Sequence, residues 1–435
     1  MAFAPISSSS AVATSPDPAA TPRYASALSA VTTLFFLWGF ITCLNDILIP
    51  YLKAIFQLSF AQANLINLCF FGAYFLVSIP AGKLVARVGY KRGMLLGFAI
   101  AAVGAFLFYP AAAQRVYGLF LGALFVLASG ITILQVAANP YVAILGPARS
   151  ASARLTLTQA FNSLGTFLAP LLGSALIMSH LPKLESTGSA ASIDITAVQI
   201  PYLIIGAVLL VISLMLSRVH LPIIVAGAGD GELRSDDLGG AWQHRHLALG
   251  VVGIFAYVGA EVAIGSHIVS YLALPDVKAL GSQAAADRVS LYWGAAMIGR
   301  FAGAYLLNKF SPNKLLVFNA MGAIALVLLS INTTGDVAMW SLLAVGLMNS
   351  LMFSTIFTLA VAGLGRYTEE ASGLLCTAIV GGALVPLLFG FVADQQGLRL
   401  ALLLPVLCYA YIGWYGLRGS RRATIAVATA APAGF

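Results

Sequence analysis

Charged residues are scarce in this 435-residue sequence, and their scarcity excludes most classes of soluble protein. Lys, Arg, Asp and Glu make up only 9% of the chain, whereas 60% of its residues are hydrophobic. An average soluble domain is about a quarter charged and about half apolar. The chain is therefore not an ordinary cytosolic enzyme, and its apolar residues need a lipid environment.

Motifs for covalent or metal chemistry are also missing. The four cysteines, Cys43, Cys69, Cys376 and Cys408, lie in apolar segments without CxxC or Cys/His spacing, so we expect buried free thiols. The sequence contains no Walker motif, no nucleophile elbow and no HExxH metal pair. The sequence therefore contains no motif for ATP-driven pumping or for hydrolysis. We expect that the protein is not an enzyme and that it binds no cofactor.

What the sequence does contain is a series of apolar segments about 20 residues long, the length at which a helix crosses the ~30 Å hydrocarbon core of a bilayer. Hydropathy places twelve such segments near residues 29–52, 62–86, 93–111, 117–144, 155–179, 200–218, 247–273, 288–308, 313–331, 337–364, 371–394 and 399–418. The sequence therefore predicts an all-α membrane protein with twelve transmembrane helices.

The longest polar stretch divides these segments into two sets of six. We predict an N-terminal six-helix bundle at residues 29–218, a cytoplasmic linker at residues 219–246 and a C-terminal six-helix bundle at residues 247–418. Residues 1–28 and 419–435 are predicted to be cytoplasmic tails. The first tail is rich in Ser, Ala and Pro and lacks the charged start of a cleaved signal peptide, so we expect it to be a disordered segment rather than a signal peptide.

Matching landmarks in the two sets indicate an internal repeat. Gly39 and Tyr51 of the first segment correspond to Gly259 and Tyr271 of the seventh, at the same offset. A Leu-x-Pro-Leu-Leu sequence occurs in both the fifth and the eleventh segment. Many secondary transporters contain such repeats and bind their substrate between them. The repeat therefore predicts a carrier with a central site.

The distribution of positive charge predicts the orientation in the membrane. The net charge of +8 is spread over the connections rather than gathered into a stripe, so we expect no nucleic-acid partner. Sixteen Lys and Arg residues lie on one side and six on the other, and Arg300 is left inside a predicted helix. Cytoplasmic loops retain positive charge. We therefore expect both termini to be cytoplasmic. We also expect a monomer embedded in lipid and a location in the plasma membrane, such as a bacterial inner membrane.

Two carboxylates lie deep in the apolar segments. Asp46 lies toward the outer half of the first segment, and Glu261 lies near the middle of the seventh. A carboxylate at this depth costs several kcal/mol unless it is paired, hydrated or protonated. One hypothesis makes one or both of them a site where cation binding is coupled to conformation. The alternative is a purely structural carboxylate, and it applies more to Asp46, which approaches the interface.

Polar and aromatic side chains recur at helical spacing in the same segments. Amides both donate and accept hydrogen bonds, and an aromatic face covers the C–H side of a sugar ring, so this combination suits a polyol. For any single amide, a structural hydrogen bond between helices, worth about 0.6 kcal/mol, is an equal alternative. The predicted substrate contacts are Trp38, Thr42, Asn45, Gln135, Asn139, Gln159, Asn162 and Tyr257.

Several motifs resemble one family of sugar carriers. The sequence LFFLWGFITCLNDILIP at residues 34–50 resembles the first helix of the fucose, galactose and glucose symporters of the major facilitator superfamily. AANP at residues 137–140, LGP at residues 145–147 and QAFNS at residues 159–163 are similar to that family too. The resemblance extends over nearly the whole chain and is densest in its first half.

The resemblance implies two six-helix bundles that rock about a central site and import a sugar with an ion gradient. It places Asp46 at a proton-coupling position and Asn162 at a sugar-contacting one. Fucose members have Glu where this chain has Gln135, which cannot titrate, whereas Glu261 is a feature of glucose and galactose members. The resemblance therefore implies a hexose of the glucose or galactose type, imported with a proton.

Other functions stay open at this point. They are a symporter for fucose or another sugar, a sodium-coupled hexose symporter, and a membrane sensor that binds sugar without translocating it. The absence of a sizeable soluble domain argues against the sensor. An antiporter of drugs or metabolites on the same fold is expected to have a more apolar cavity.

Overall fold

The protein is described by a computed structural model that covers residues 21–56, 60–114, 116–176, 196–219, 221–222 and 240–421, except for some side chains within these ranges. The described part is helical and contains no strand. The helices of the first half are α1 (Thr21–Phe56), α2 (Phe60–Val88), α3 (Tyr90–Gln114), α4 (Tyr117–Ile144), α5 (Ala151–Leu176) and α6 (Thr196–Arg218). Those of the second half are α7 (Arg245–Leu272), α8 (Ser282–Leu306), α9 (Pro312–Asn332), α10 (Gly335–Val361), α11 (Gly365–Gln396) and α12 (Leu398–Gly419).

These twelve helical segments agree with the twelve predicted from hydropathy, although their ends differ. Helix α1 begins at Thr21 rather than near residue 29, because hydropathy detects only the apolar part of a helix. Ten of the twelve are long and apolar enough to cross a membrane by length and composition alone. The exceptions are α5 and α8, which pack against each other between the two halves and carry polar side chains there.

Helices α10 and α11 are both interrupted, which hydropathy did not predict. Helix α10 consists of Gly335–Asn349 and Met352–Val361, and helix α11 contains Thr368–Thr377 and Gly381–Gln396, joined by a tighter turn. Irregular backbone at membrane depth is tolerated where it is buried in protein or lines a cavity. Both interruptions lie close to the middle of the molecule.

Backbone contacts between equivalent helices reflect the predicted repeat. Helices α1 and α5 approach so closely that a methyl group on Gly39 or Gly165 would lie 2.2 Å from a backbone oxygen of the other helix. Helices α7 and α11 meet in the same way, because a methyl group on Gly381 would lie 2.2 Å from a backbone oxygen of α7. The first and fifth helices of each half are thus in close backbone contact.

The two halves are joined on the side that carries the connections α2–α3, α4–α5 and α10–α11, here called the basic side. Between α5 and α10, the hydroxyls of Ser152 and Thr358 lie 2.6 Å apart, and those of Thr156 and Ser354 lie 2.5 Å apart. Helix α2 also packs on the first part of α11 there. The halves are therefore in direct contact on the basic side.

The opposite side, here called the open side, has a large cavity between the halves. Helices α2, α7 and α11 line this cavity of about 730 Å³ with residues that include Leu65, Ser266 and Asp394. The part of the chain that the structure describes is thus closed on the basic side and open on the other.

Candidate functional site

A second cavity, of about 200 Å³, lies at the centre of the molecule between the two halves. Helices α1, α4 and α5 of the first half and α7, α8, α10 and α11 of the second contribute its walls. It combines apolar walls with a few convergent polar groups, as small-molecule sites do. The lining residues are Trp38, Gln135, Gln159, Asn162, Tyr257, Val258, Glu261, Arg300, Ser350, Phe353, Ser354 and Ile379.

Six of the residues singled out in the sequence meet in this central cavity. They come from α1, α4, α5 and α7, and the sequence alone gave no distance between these helices. The six are Trp38, Gln135, Gln159, Asn162, Tyr257 and Glu261. Their roles in binding and coupling stay predictions, but their convergence on one cavity is a property of the fold.

Hydrogen bonds and ring contacts hold the first-half residues of the cavity in place. The amide nitrogen of Asn162 donates to the Phe35 backbone oxygen at 2.9 Å, so α5 is tied to α1. The Trp38 ring packs edge-on against Phe35, with ring centroids 5.4 Å apart. On α4, Gln135 donates to the Tyr74 hydroxyl at 2.5 Å. These contacts orient the polar wall of the cavity before any ligand arrives.

Asn139 is placed differently from the prediction that it contacts the substrate. Its side chain is fully buried and does not line the cavity. The Gln159 amide nitrogen donates to Asn139 Oδ1 at 3.4 Å, so Asn139 lies behind Gln159. Asn139 lies on the same face of α4 as Gln135, as the helical spacing predicted. However, α5 packs over Asn139 and separates its side chain from the cavity. Asn139 therefore supports Gln159 from behind.

Three further candidates lie on the part of α1 that faces the open side. Thr42, Asn45 and Asp46 belong to this helix, but their side chains lie outside what the structure describes. Their assignment to substrate binding and ion coupling therefore stays a prediction.

The two charged groups of the central cavity face each other. Glu261 Oε1 lies 3.6 Å from Arg300 Nη2, and their side chains are only 11% and 16% exposed. Arg300 Nε donates to the Ser350 backbone oxygen at 3.2 Å, at the interruption of α10. Its Nη1 donates to the Ser163 hydroxyl on α5 of the first half. Arg300 thus links the Glu261 carboxylate of the second half to a side-chain hydroxyl of the first half.

A buried polar network supports Glu261 from behind. The Tyr292 hydroxyl donates to the Glu261 backbone oxygen at 3.3 Å, and the Asn349 side chain donates to the same hydroxyl at 2.8 Å. Because these groups come from α7, α8 and α10, they fix the position of the helical turn that carries Glu261. The carboxylate is therefore held at a defined distance from Arg300.

Arg300 is the principal residue that the sequence reasoning missed. It was recognised as a charge left inside an apolar segment, but it was not joined to Glu261. The available signal was physical, since an Arg and a Glu at membrane depth are each costly and are expected to pair. In contrast, Ser350, Phe353 and Ile379 lie at helix interruptions, and no local sequence pattern marked them.

Comparison with known proteins agrees with this architecture. Residues 28–384 match the sequence profile of the Major Facilitator Superfamily. A glucose/galactose transporter of Brucella abortus is 53% identical over 399 residues, which cover 92% of this chain and 95% of the relative. A putative glucose/galactose transporter of Helicobacter pylori is 46% identical, with 91% and 97% covered, and the L-fucose-proton symporter of Escherichia coli is 36% identical, with 90% and 92% covered.

A solved structure has the same arrangement of helices. The crystal structure of the transporter FucP in the outward conformation matches with a TM-score of 0.84 and 34% identity, covering 92% of this chain and all of that one. The profile, the relatives and the solved structure agree with the two six-helix halves and with the absence of enzyme motifs. The chain belongs to the major facilitator superfamily of membrane transporters.

Proposed function

We propose that this protein imports a hexose of the glucose or galactose type by symport with a proton. The observation that carries the proposal is the central cavity, which joins amides and a tryptophan ring to a carboxylate and a guanidinium. Amides pair with hydroxyls, and the indole covers the apolar face of a sugar ring. Relatives named for glucose and galactose are more similar to this chain than those named for fucose, which supports the choice of hexose.

The conformation and the predicted orientation are consistent with import. If the basic side is cytoplasmic, the open side faces the exterior and the cavities are ready to receive sugar from outside. The similarity to a transporter crystallised in the outward conformation supports this assignment. Both termini then lie in the cytoplasm, and a bacterial inner membrane is the proposed location. Sugar and cation promote transport by favouring the same rearrangement of the two halves.

The pairing of Glu261 with Arg300 makes the proton the favoured cation. The guanidinium 3.6 Å from the carboxylate opposes binding of either cation, but a proton needs no coordination space and removes the carboxylate charge when it binds. Protonation also releases Arg300, which contacts Ser163 of the other half, so it changes an interaction between the halves. Asp46 is a second proposed coupling group in the same translocation pathway.

Glu261→Gln is the variant that tests this coupling. In proteoliposomes with an imposed proton gradient, we expect the wild-type protein to accumulate labelled glucose or galactose. The variant is expected to lose gradient-driven accumulation but to retain exchange of labelled for unlabelled sugar, since the cavity is preserved. Unchanged accumulation by the variant would exclude Glu261 as the coupling group and leave Asp46.

Two controls separate coupling from folding and from the choice of sugar or ion. Asp336→Asn alters a carboxylate whose side chain is 66% exposed and pairs with Lys278 away from the cavity, so wild-type accumulation is expected. The same assay with mannose and fucose, and with a sodium gradient, tests the other carriers. Verified folded protein that binds sugar but takes up none of these under either gradient would support the sensor instead.

A further inference from the structure

The charges of the central cavity are close to each other without being hydrogen-bonded. The separation of 3.6 Å between Glu261 Oε1 and Arg300 Nη2 exceeds the range of an N–H···O hydrogen bond. Glu261 Oε1 is buried and has no hydrogen-bond partner among the described residues. The Nε and Nη1 groups of Arg300 are already occupied by Ser350 and Ser163. A buried acceptor and an uncommitted donor group therefore face each other across a narrow gap.

A ligand hydroxyl suits this pair because it donates one hydrogen bond while accepting another. Its oxygen can lie beside the pair, about 2.8 Å from both Glu261 Oε1 and Arg300 Nη2, when the buried carboxylate of Glu261 turns toward the cavity that this residue lines. An apolar group in the same place would leave both charged groups without a hydrogen-bond partner. The geometry thus assigns the pair a direct role in holding ligand, which rests on the sugar class of the proposed function.

We propose that Arg300 is a specificity-determining residue that, together with Glu261, restricts the cavity to uncharged sugars. Glu261 and Arg300 are the charged groups among the described residues that line the cavity, and their charges cancel. A sugar carboxylate gains little from Arg300 while Glu261 neutralises it, and it loses its hydration on entry. While Glu261 is ionised, the ion pair therefore excludes sugar acids although a guanidinium is present.

Removing the Glu261 charge is expected to change which sugars the cavity accepts. Arg300 then keeps its positive charge in the lining of the cavity, while its Nε and Nη1 groups stay bonded to Ser350 and Ser163. Guanidinium groups bind carboxylates through strong charge-assisted hydrogen bonds. Replacing Glu261 by its neutral amide isostere is therefore expected to let a site for neutral hexoses accept the corresponding hexuronates as well.

The test compares each neutral sugar with the acid that differs from it only at C6. Purified full-length protein is titrated calorimetrically with D-galactose, D-galacturonate, D-glucose and D-glucuronate at an alkaline pH, so that both the acids and Glu261 are ionised. We expect wild-type protein to bind a neutral hexose and to reject its acid. Glu261→Gln is expected to bind the acid at least about tenfold more tightly than wild type does, a change of about 1.4 kcal/mol.

The double variant Glu261→Gln/Arg300→Gln is the matched control, because it removes both charges and leaves no buried ion unpaired. We expect it to lose the gain in acid binding while remaining folded, as monitored by thermal unfolding. Wild-type protein that binds the acid as well as the neutral sugar overturns the proposal. So does a Glu261→Gln variant without the gain, or a double variant that keeps it.

The outcomes also separate this inference from the proposed function. If wild-type protein binds a hexose but Glu261→Gln does not gain acid binding, the role of Arg300 is refuted and hexose transport stands. If wild-type protein binds none of the neutral sugars, the hexose assignment fails, whereas an Arg300-dependent gain of acid binding still supports the charge argument.

Discussion

At the scale of single residues, the central cavity is organised around one buried ion pair. Glu261 and Arg300 come from α7 and α8, and each would be costly alone at membrane depth. Removing one partner of a buried pair leaves an uncompensated charge, whereas removing both often changes stability little. The two residues are therefore expected to behave as a unit in stability as well as in binding.

We expect Arg300→Gln to destabilise the protein by about 3–5 kcal/mol, because the Glu261 carboxylate is left buried and unpaired. Glu261→Gln/Arg300→Gln should recover most of this loss. Reversible unfolding in detergent measures both. Lys278→Gln is the control, since its pair with Asp336 is partly exposed and contributes about 1 kcal/mol or less. Purely additive losses in the double variant would argue against a coupled pair.

At the scale of helices, the backbone contact between α1 and α5 sets the shape of the first-half wall. Asn162 donates to Phe35 across this contact, one helical turn from Trp38. The approach depends on glycine, because a methyl group on Gly165 has no space beside the backbone of α1. Helix spacing and sugar contacts are thus linked through one position.

We expect Gly165→Ala to lower stability by about 1–3 kcal/mol and to weaken sugar binding, because the added methyl group forces α1 and α5 apart. Binding titrations and thermal unfolding measure the two effects. Gly122→Ala is the matched control on α4, since a methyl group there meets no atom within 4 Å. Equal behaviour of the two variants would contradict the role of the α1–α5 contact.

At the scale of the whole molecule, the two halves are closed on the basic side and apart on the other. The hydroxyl pairs between α5 and α10 lie across this closed side. Import through alternating access requires these pairs to separate when the sugar is released to the cytoplasm. A covalent bond at the same place is therefore expected to stop transport without closing the open side.

This expectation is tested with Ser152→Cys/Thr358→Cys in a background without the native cysteines, since neither residue lines the central cavity. The native hydroxyls are 2.6 Å apart, so the new sulfurs are placed within bonding reach. We expect oxidation to abolish uptake, reductant to restore it, and sugar binding to persist throughout. The single-cysteine variants serve as controls. Full transport by the oxidised double variant would show that this contact does not open.

Much of the fold could be predicted from the sequence, because each membrane helix depends on the residues of its own segment. The length and apolarity of each segment are sufficient to identify a membrane helix, and the internal repeat and the family resemblance gave the architecture. The types of chemistry were also readable, since amides and a deep carboxylate stand out in an apolar sequence. The interruptions in α10 and α11 were not readable from hydropathy, because hydropathy averages over a whole segment and does not detect a break in its backbone hydrogen bonds.

Only the tertiary structure decided how these residues combine. The rotation of each helix about its axis follows from packing between helices, and mostly apolar segments show no clear polar face from which to predict it. Packing brought Glu261 to Arg300 on another helix, placed Ser163 of the other half beside them and covered Asn139 behind Gln159. The sequence by itself thus determined a membrane carrier with polar groups suited to sugar, whereas tertiary packing determined which of these groups share the cavity and that its charges are paired.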